Sequence, residues 1–311
     1  MKYETSTELI DAYLNKVEFV TLDQVELPSY EWGYVREYCF DNSKENPELS
    51  ALLANMYLHG YGVNVDYLLA KFACESAIKR GSVNAIFTMG LMYHDGKGVL
   101  QSYEEAVKFY QEAADKGLWR AKFRLGVCYS VPRGVKLDHE KAFEYFMEVA
   151  KLGYVHAQFN VARYIYREKV EYANREDCIL WFHRAAEQNS VSSMEYLGDI
   201  YYKGYHAKKN LKVAFTWYQN ALRQRSGSAA MKMAEFFEKG MAVDQSYKLA
   251  YDCYVAALEF GINDAKPKIR EYESNRCPHC HAFYTKTVIK KLFGEKTICS
   301  ACKKNYYIKY K

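Results

Sequence analysis

AIFTMGLMYHDGKGVLQSYEEAVKFYQEAADKGLWR, residues 85–120, decides the fold, because its pattern returns every 36 residues. Ala85, Met89, Gly90 and Tyr93 are followed by Gly96, Gly98 and Val99, then by Ala106, Phe109, Tyr110, Ala113, Ala114 and Gly117. Moving 36 residues forward reaches Ala121, Leu125, Gly126, Tyr129, Gly134, Val135, Ala142, Tyr145, Phe146 and Gly153. Moving back reaches Leu53, Ala54, Tyr57, Gly60, Gly62, Val63, Ala70, Ala77 and Gly81. Six copies therefore begin at 49, 85, 121, 157, 193 and 229, and Ala265 opens a seventh that stops short. One helical pair cannot bury its own apolar face, so a repeat of this period implies an all-α solenoid of stacked pairs.

The chemistry within a copy explains the pairing. Positions 1, 5, 6, 8 and 9 form one face of a first helix, with a small residue at position 6 where a neighbour must come close. Glycines at positions 12 and 14 permit a left-handed backbone for a tight turn. Position 18 holds Asp66, Ser102, Asp138, Asn174, Asn210 and Ser246, all residues suited to cap the second helix. Glu105, three residues after Ser102, is placed to complete a capping box. The second helix then packs Phe109/Tyr110, Tyr145/Phe146, Trp181/Phe182 and Trp217/Tyr218, and Gly81, Gly117, Gly153 and Gly261 end it.

The string Ala-x-x-x-Leu-Gly-x-x-Tyr-x-x-Gly-x-Gly-Val, followed by Lys-Ala and Ala-Ala-x-x-Gly, resembles the Sel-one-like repeat family, a relative of tetratricopeptide repeats. The resemblance implies a right-handed superhelix with a concave groove and adaptor or scaffold roles. Among bacterial members it also implies signalling, host interaction or neutralisation of a cognate toxin. The fourth copy departs from the pattern: Glu168 and Val170 stand where the turn glycines belong, and Ile165 where the tyrosine belongs. Asn189 and Arg225 replace the terminal glycine in copies four and five, and Arg suits a left-handed backbone poorly.

Positions 4, 7 and 11 of the first helices are left free by the core columns. From copy three to copy six they include Arg124, Arg163, Arg167, Tyr196, Asp199, Lys203, Lys232 and Glu235, a mixed charged and aromatic stripe suited to a protein or peptide in the groove.

Residues 1–48 fall outside the register and are expected to form an N-terminal helical cap. Thr5-x-x-Glu8 is a capping box ahead of Leu9, Ile10, Tyr13, Leu14 and Val17, and Trp32, Val35, Tyr38 and Cys39 form a second stripe. Residues 49–264 hold the six repeats and residues 265–275 a capping helix. In residues 276–311, Cys277-Pro278-His279-Cys280 and Cys299-Ser300-Ala301-Cys302 offer four thiolates to one structural Zn²⁺. Strands over 284–290 and 305–310 would complete a small β zinc ribbon.

Charge is divided unevenly. Residues 266–311 carry 12 Lys and Arg against 3 Glu, a balance of +9, while the preceding residues balance at −4. The start, Met-Lys-Tyr-Glu-Thr-Ser-Thr-Glu, lacks the apolar run of a secretory signal, and no stretch is long and apolar enough to span a membrane. Isolated cysteines suit a reducing, cytoplasmic setting.

These features point to a non-enzymatic interaction scaffold with the zinc module as a second contact site. A nucleic-acid-associated protein is the alternative, with Lys286, Lys290, Lys291, Lys296, Lys303 and Lys304 on phosphate. An immunity protein neutralising a toxin is a further one, on the resemblance. No Ser/His/Asp set or carboxylate pair recurs at fixed spacing, and a four-thiolate zinc has no open position for water.

Overall fold

The computed structural model describes residues 5–14, 27, 29–170, 174–274, 297–298 and 305–306. Fifteen α-helices and one two-stranded pairing occur among them. Two N-terminal helices, α1 (Ser6–Leu14) and α2 (Ser29–Asn42), precede the repeats. The pairs are α3 (Pro47–His59) with α4 (Tyr67–Lys79), α5 (Val83–Asp95) with α6 (Tyr103–Asp115), and α7 (Trp119–Ser130) with α8 (His139–Lys151). They continue as α9 (Val155–Tyr166) with α10 (Asp177–Glu187), α11 (Val191–Lys203) with α12 (Leu211–Arg223), and α13 (Gly227–Lys239) with α14 (Tyr247–Glu259). A last helix, α15 (Ala265–Ser274), follows. The helical-repeat solenoid is thus observed.

The chain divides into two compact units inside the fourth copy. The first reaches to Tyr164 and includes Glu168–Tyr172; the second comprises Ile165–Arg167 and the chain from Ala173 onward.

Within the first unit, Leu9 and Ile10 from α1 and Trp32, Val35 and Cys39 from α2 are buried against Leu49, Leu52, Leu53 and Met56 of α3. Thr5 caps α1 as expected, its hydroxyl accepting from Glu8 N at 3.3 Å. Tyr38 does not join this stripe: it is 46% exposed, and Cys39 beside it turns inward. In the second unit, Tyr272 of α15 is fully buried against Tyr254.

The close approach expected at position 6 is made by an aromatic ring. A Cβ on Gly90 would lie 2.7 Å from Tyr110 Cε1, and one on Gly126 would lie 2.8 Å from Phe146 Cε1. In the second unit a Cβ on Gly198 would lie 2.6 Å from Tyr218 Cε1. Each glycine is therefore the socket for the large ring of its own second helix.

Five of the six position-18 residues cap their helices. The side chains of Asp66, Ser102, Asp138, Asn210 and Ser246 accept from backbone N–H groups in the following turn. Asn174 does not: α10 starts at Asp177 without a side-chain cap, and Asn174 Oδ1 instead accepts from Glu176 N at 3.3 Å, in the turn ahead of it. The capping box at Ser102 is half made. Ser102 Oγ accepts from Glu105 N, but Ser102 N donates to Tyr93 O at 3.0 Å, and the Glu105 carboxylate accepts from Lys108.

Left-handed geometry survives the loss of glycine. Glu168 (φ 52), Asn189 (φ 64) and Arg225 (φ 62) adopt it, as do His206 (φ 63) and Ala242 (φ 59) at position 14. Arg225, expected to fit poorly, is helped by its guanidinium lying 5.2 Å over the Phe260 ring.

Near the C-terminus, strand β1 (Thr297–Ile298) pairs antiparallel with β2 (Asn305–Tyr306). The second lies within the expected 305–310 strand; the first was not foreseen. The remainder of the expected ribbon lies outside the described residues, including Cys277, Cys280, Cys299 and Cys302 and the lysines Lys286, Lys290, Lys291, Lys296, Lys303 and Lys304.

Candidate functional site

The free positions of the first helices behave differently in the two units. In the first, Arg124 is exposed on α7, while Arg163 is tied to its own helix. Arg163 Nη2 donates to Asn160 Oδ1 at 2.9 Å, and the guanidinium lies 5.8 Å over Phe159. Beside them runs a structural ladder between copies. Glu48 accepts from Val83 N and from Asn84 Nδ2, Asn84 Oδ1 accepts from Arg120, and Arg120 lies 5.6 Å over Phe87.

The second unit holds the other six expected residues, five of them on the first helices α11 and α13. Arg167 lies just past α9, Tyr196, Asp199 and Lys203 lie on α11, and Lys232 and Glu235 lie on α13. Spacing of four places Asp199 beside Lys203 and Glu235 beside Lys239 on one helix face. Lys203 Nζ donates to Asp199 Oδ2 at 2.8 Å, and Lys239 Nζ donates to Glu235 Oε1. Tyrosines close each carboxylate from another helix. Tyr218 Oη of α12 donates to Asp199 Oδ1 at 2.6 Å, and Tyr202 Oη of α11 donates to Glu235 Oε1 at 3.0 Å.

Electrostatics follow from this pairing. Burial alone would raise the Asp199 pKa, but hydrogen bonds from Lys203 and Tyr218 and the charges of Lys203 and Lys232 outweigh it. The net direction is downward. Glu235 behaves likewise: burial opposes ionisation, and Lys239, Tyr202 and Lys232 together lower its pKa. Tyr218 is pushed up, first by burial and then by its bond to the Asp199 carboxylate.

Around this ladder lies an open pocket of about 210 Å³. Glu195, Tyr196 and Asp199 of α11, Tyr218 of α12 and Ser228, Ala229 and Lys232 of α13 line it. Tyr196 is fixed by stacking on Phe182 at 4.8 Å and accepts from Arg167 Nη2 at 3.2 Å. Glu195 accepts from Ser226 Oγ, and the Lys232 ammonium lies 5.4 Å from the Tyr202 ring centre.

Sequence reasoning missed Glu195, Tyr202, Tyr218 and Lys239. Lys239 occupies position 11 and was open to discovery by the same rule that found Lys203. Tyr218 had been assigned to the core, where its ring indeed lies; only its hydroxyl reaches the site.

Among the described residues no group of three or more His, Cys, Asp and Glu side chains could hold a metal. No helix among them is long and apolar enough to cross a membrane. Buried Cys39, Cys74 and Cys178 have thiol pKa values pushed up by burial to about 12.

No curated protein matches the chain. Among solved structures it is similar to c5321, a protective antigen present in uropathogenic Escherichia coli strains displaying an SLR fold, at 26% identity and a TM-score of 0.70. That similarity covers 75% of this chain and 50% of c5321, so the chain spans about half the length of that protein. A Sel1 repeat protein from Oxalobacter formigenes is similar at 22% identity and a TM-score of 0.64, over 74% of this chain and 96% of its own. The immunity protein Pa5087 from Pseudomonas aeruginosa aligns over 62% of this chain and 70% of its own at 20% identity. Its TM-score of 0.38 is too low to bear on function. The Sel1 repeat profile matches residues 47–82, 83–118, 119–154, 155–190, 191–226 and 227–259, the same period that the sequence displays, two residues earlier in register. With most of its length in six such matches, the chain belongs to the Sel1 repeat family.

Proposed function

We propose that the protein is a non-enzymatic interaction scaffold that holds a protein or peptide partner on the face built from α11 and α13. The observation that carries this reading is the partly exposed ladder of Tyr196, Asp199, Lys203, Lys232 and Glu235, of which Tyr196, Asp199 and Lys232 line an open pocket, on positions that the core columns leave free. Its carboxylates are each held by two donors, which fixes their geometry before a partner arrives and limits the ordering cost of binding. Burial keeps the Cys39, Cys74 and Cys178 thiols protonated and away from substrate, which leaves them a packing role. Cross-linking in the native host with a photoreactive group at position 203, followed by mass spectrometry, tests the reading. A specific partner cross-linked from that position supports it; cross-links no different from those at a site on α4 refute it.

Residues 276–311 form a second contact module in this proposal. Cys277, Cys280, Cys299 and Cys302 would hold one structural Zn²⁺, a donor set that suits tetrahedral coordination. In sequence, Cys299 and Cys302 fall between β1 and β2. The +9 balance from residue 266 onward keeps a nucleic-acid contact as the second reading. Binding of DNA or RNA that falls steeply with salt and is abolished by Lys290→Glu with Lys291→Glu would favour it.

A further inference from the structure

The copies serve as controls for one another, and the first of them breaks a rule of its surface. Positions 20, 21 and 24 of the second helix hold Glu104, Glu105 and Lys108 in copy two and Glu140, Lys141 and Glu144 in copy three. Copy one has Leu68, Leu69 and Phe72 there, and they are 75, 46 and 72% exposed. No other copy is apolar at all three positions. The fold does not need these side chains, because charged residues serve the same helix positions in the next two copies. Large apolar groups gathered in water mark a surface that gains by being covered.

They edge a groove. Helices α2 and α4 both pack on α3, and between them opens a groove of about 480 Å³. Phe40 of α2, itself 68% exposed, Leu53 and Tyr57 of α3 and Leu69 and Phe72 of α4 form its apolar part. Its charged lining has one sign: Lys44 and Arg80, just past the C-terminal ends of α2 and α4, line it, and no carboxylate among the described residues does. Arg80 donates to Ser43 O, Lys44 O and Ser50 Oγ, all uncharged acceptors, so its place is fixed and its charge uncompensated. Of the acids nearby in sequence, Glu75 pairs with Lys71 at 3.8 Å, Glu48 accepts from Val83 N and Asn84 Nδ2, and Glu45 lies outside the lining.

We propose that the α2–α4 groove is a docking site in its own right, in addition to the α11–α13 face, and that it takes an amphipathic helix of a partner protein. The partner helix lays large apolar side chains on Phe40, Leu69 and Phe72 and sets an acidic side chain at one end against Lys44 and Arg80. From α4 the lining runs from Leu69 to Arg80, roughly 16 Å at 1.5 Å per residue, which a helix of about three turns matches. A helix arrives with its backbone bonds already made, whereas an extended segment would turn peptide N–H and C=O groups toward apolar walls. The cationic end fixes the direction in which the helix lies. Residues 266–311 of this chain, with their balance of +9, carry the wrong charge for the groove.

Fluorescence polarisation with the full chain tests this, using a labelled helical peptide of about 14 residues with Leu at i, i+3, i+4 and i+7 and Glu in its last turn. Two further peptides scramble the stripe or replace Glu by Lys. The first peptide is expected to bind more tightly than both. Leu68→Glu with Leu69→Glu and Phe72→Lys gives α4 the residues of copy two and should lower that affinity about tenfold or more at unchanged melting temperature. Should that variant melt lower, Phe72→Ser alone carries the comparison. Lys44→Glu should weaken the Glu peptide and not the Lys peptide. No binding, equal binding of the scrambled peptide, or retention by the triple variant overturns the proposal. So do three other occupants: a dimer in light scattering that the triple variant dissociates, displacement of the helix by a synthetic peptide of residues 15–26, or binding to phosphatidylserine vesicles lost in the triple variant without any peptide binding.

Discussion

Tyr110 and Tyr218 occupy the same column, and their rings fill the same glycine socket at Gly90 and Gly198. Their hydroxyls differ in fate. Tyr218 donates to Asp199, whereas Leu91 stands at the equivalent place for Tyr110, whose hydroxyl is buried with no hydrogen-bond partner among the described residues. Tyr110→Phe should therefore be neutral or stabilising by about 1 kcal/mol, because it removes an unsatisfied buried group. Tyr218→Phe should cost about 1–2 kcal/mol by taking a donor from a half-buried carboxylate. Urea unfolding of the two variants checks the contrast, and equal effects would contradict it. A similar logic applies to Ala242, held at φ 59 with no side chain to compensate. Ala242→Gly should stabilise by about 0.5–1 kcal/mol, since glycine adopts that conformation without strain. Arg225→Gly should gain less, because it also discards the contact with Phe260.

Caps show how much of each element was legible from sequence. Position 18 was readable because the cap bond is local: the accepting side chain and the donating backbone N–H lie within three residues, as at Asp138 and Lys141 N. Asp138→Ala should cost about 1 kcal/mol, and Asn174→Ala distinctly less, since Asn174 bonds only the turn before α10. Thermal melts followed by circular dichroism would separate the two. A second cap column was missed. Ser82, Ser190 and Ser226 cap α5, α11 and α13, but Leu118 and Tyr154 interrupt the column and hide it from a reading that looks for recurrence. The position-6 sockets were legible as small residues, yet their occupants were not, because the ring reaches them from the other helix of the pair. On α11 and α13 the carboxylate–lysine pairs predict a pH response. Asp199 and Glu235 have folded pKa values below their unfolded ones, so their contribution is complete above the ordinary carboxylate range. It is lost as pH falls through the folded values, below about pH 4. Asp199→Asn should flatten that acid limb of the stability profile.

At the scale of the whole chain, the period fixed the solenoid, while the proposed contact face rests on distances between copies that no single stretch contains. The zinc proposal belongs here too. Elemental analysis of freshly purified protein should find one zinc per chain, and chelation should leave the helical signal of the repeats intact, because each repeat contacts only its neighbours. A metal-free preparation, or helices that collapse with chelator, would refute it. The turn glycines carry a last consequence. A Cβ on Gly98 would lie 2.7 Å from Tyr67 O, and one on Gly134 would lie 2.3 Å from Tyr103 O; Tyr67 and Tyr103 each open their helix. At Gly62, where no earlier copy exists, the same space is taken by Trp32 of α2, 2.4 Å from such a Cβ. Alpha-helix α2 thus impersonates the tail half of a missing repeat. It follows that alanine at Gly98 should be harmful while an extra whole copy is not. Duplicating residues 83–118 in tandem sets each new glycine against a tyrosine at the head of a helix, as in the parent. Copy number is then a variable that gene duplication can change without redesigning either end, and the lengthened protein should melt no lower than the original.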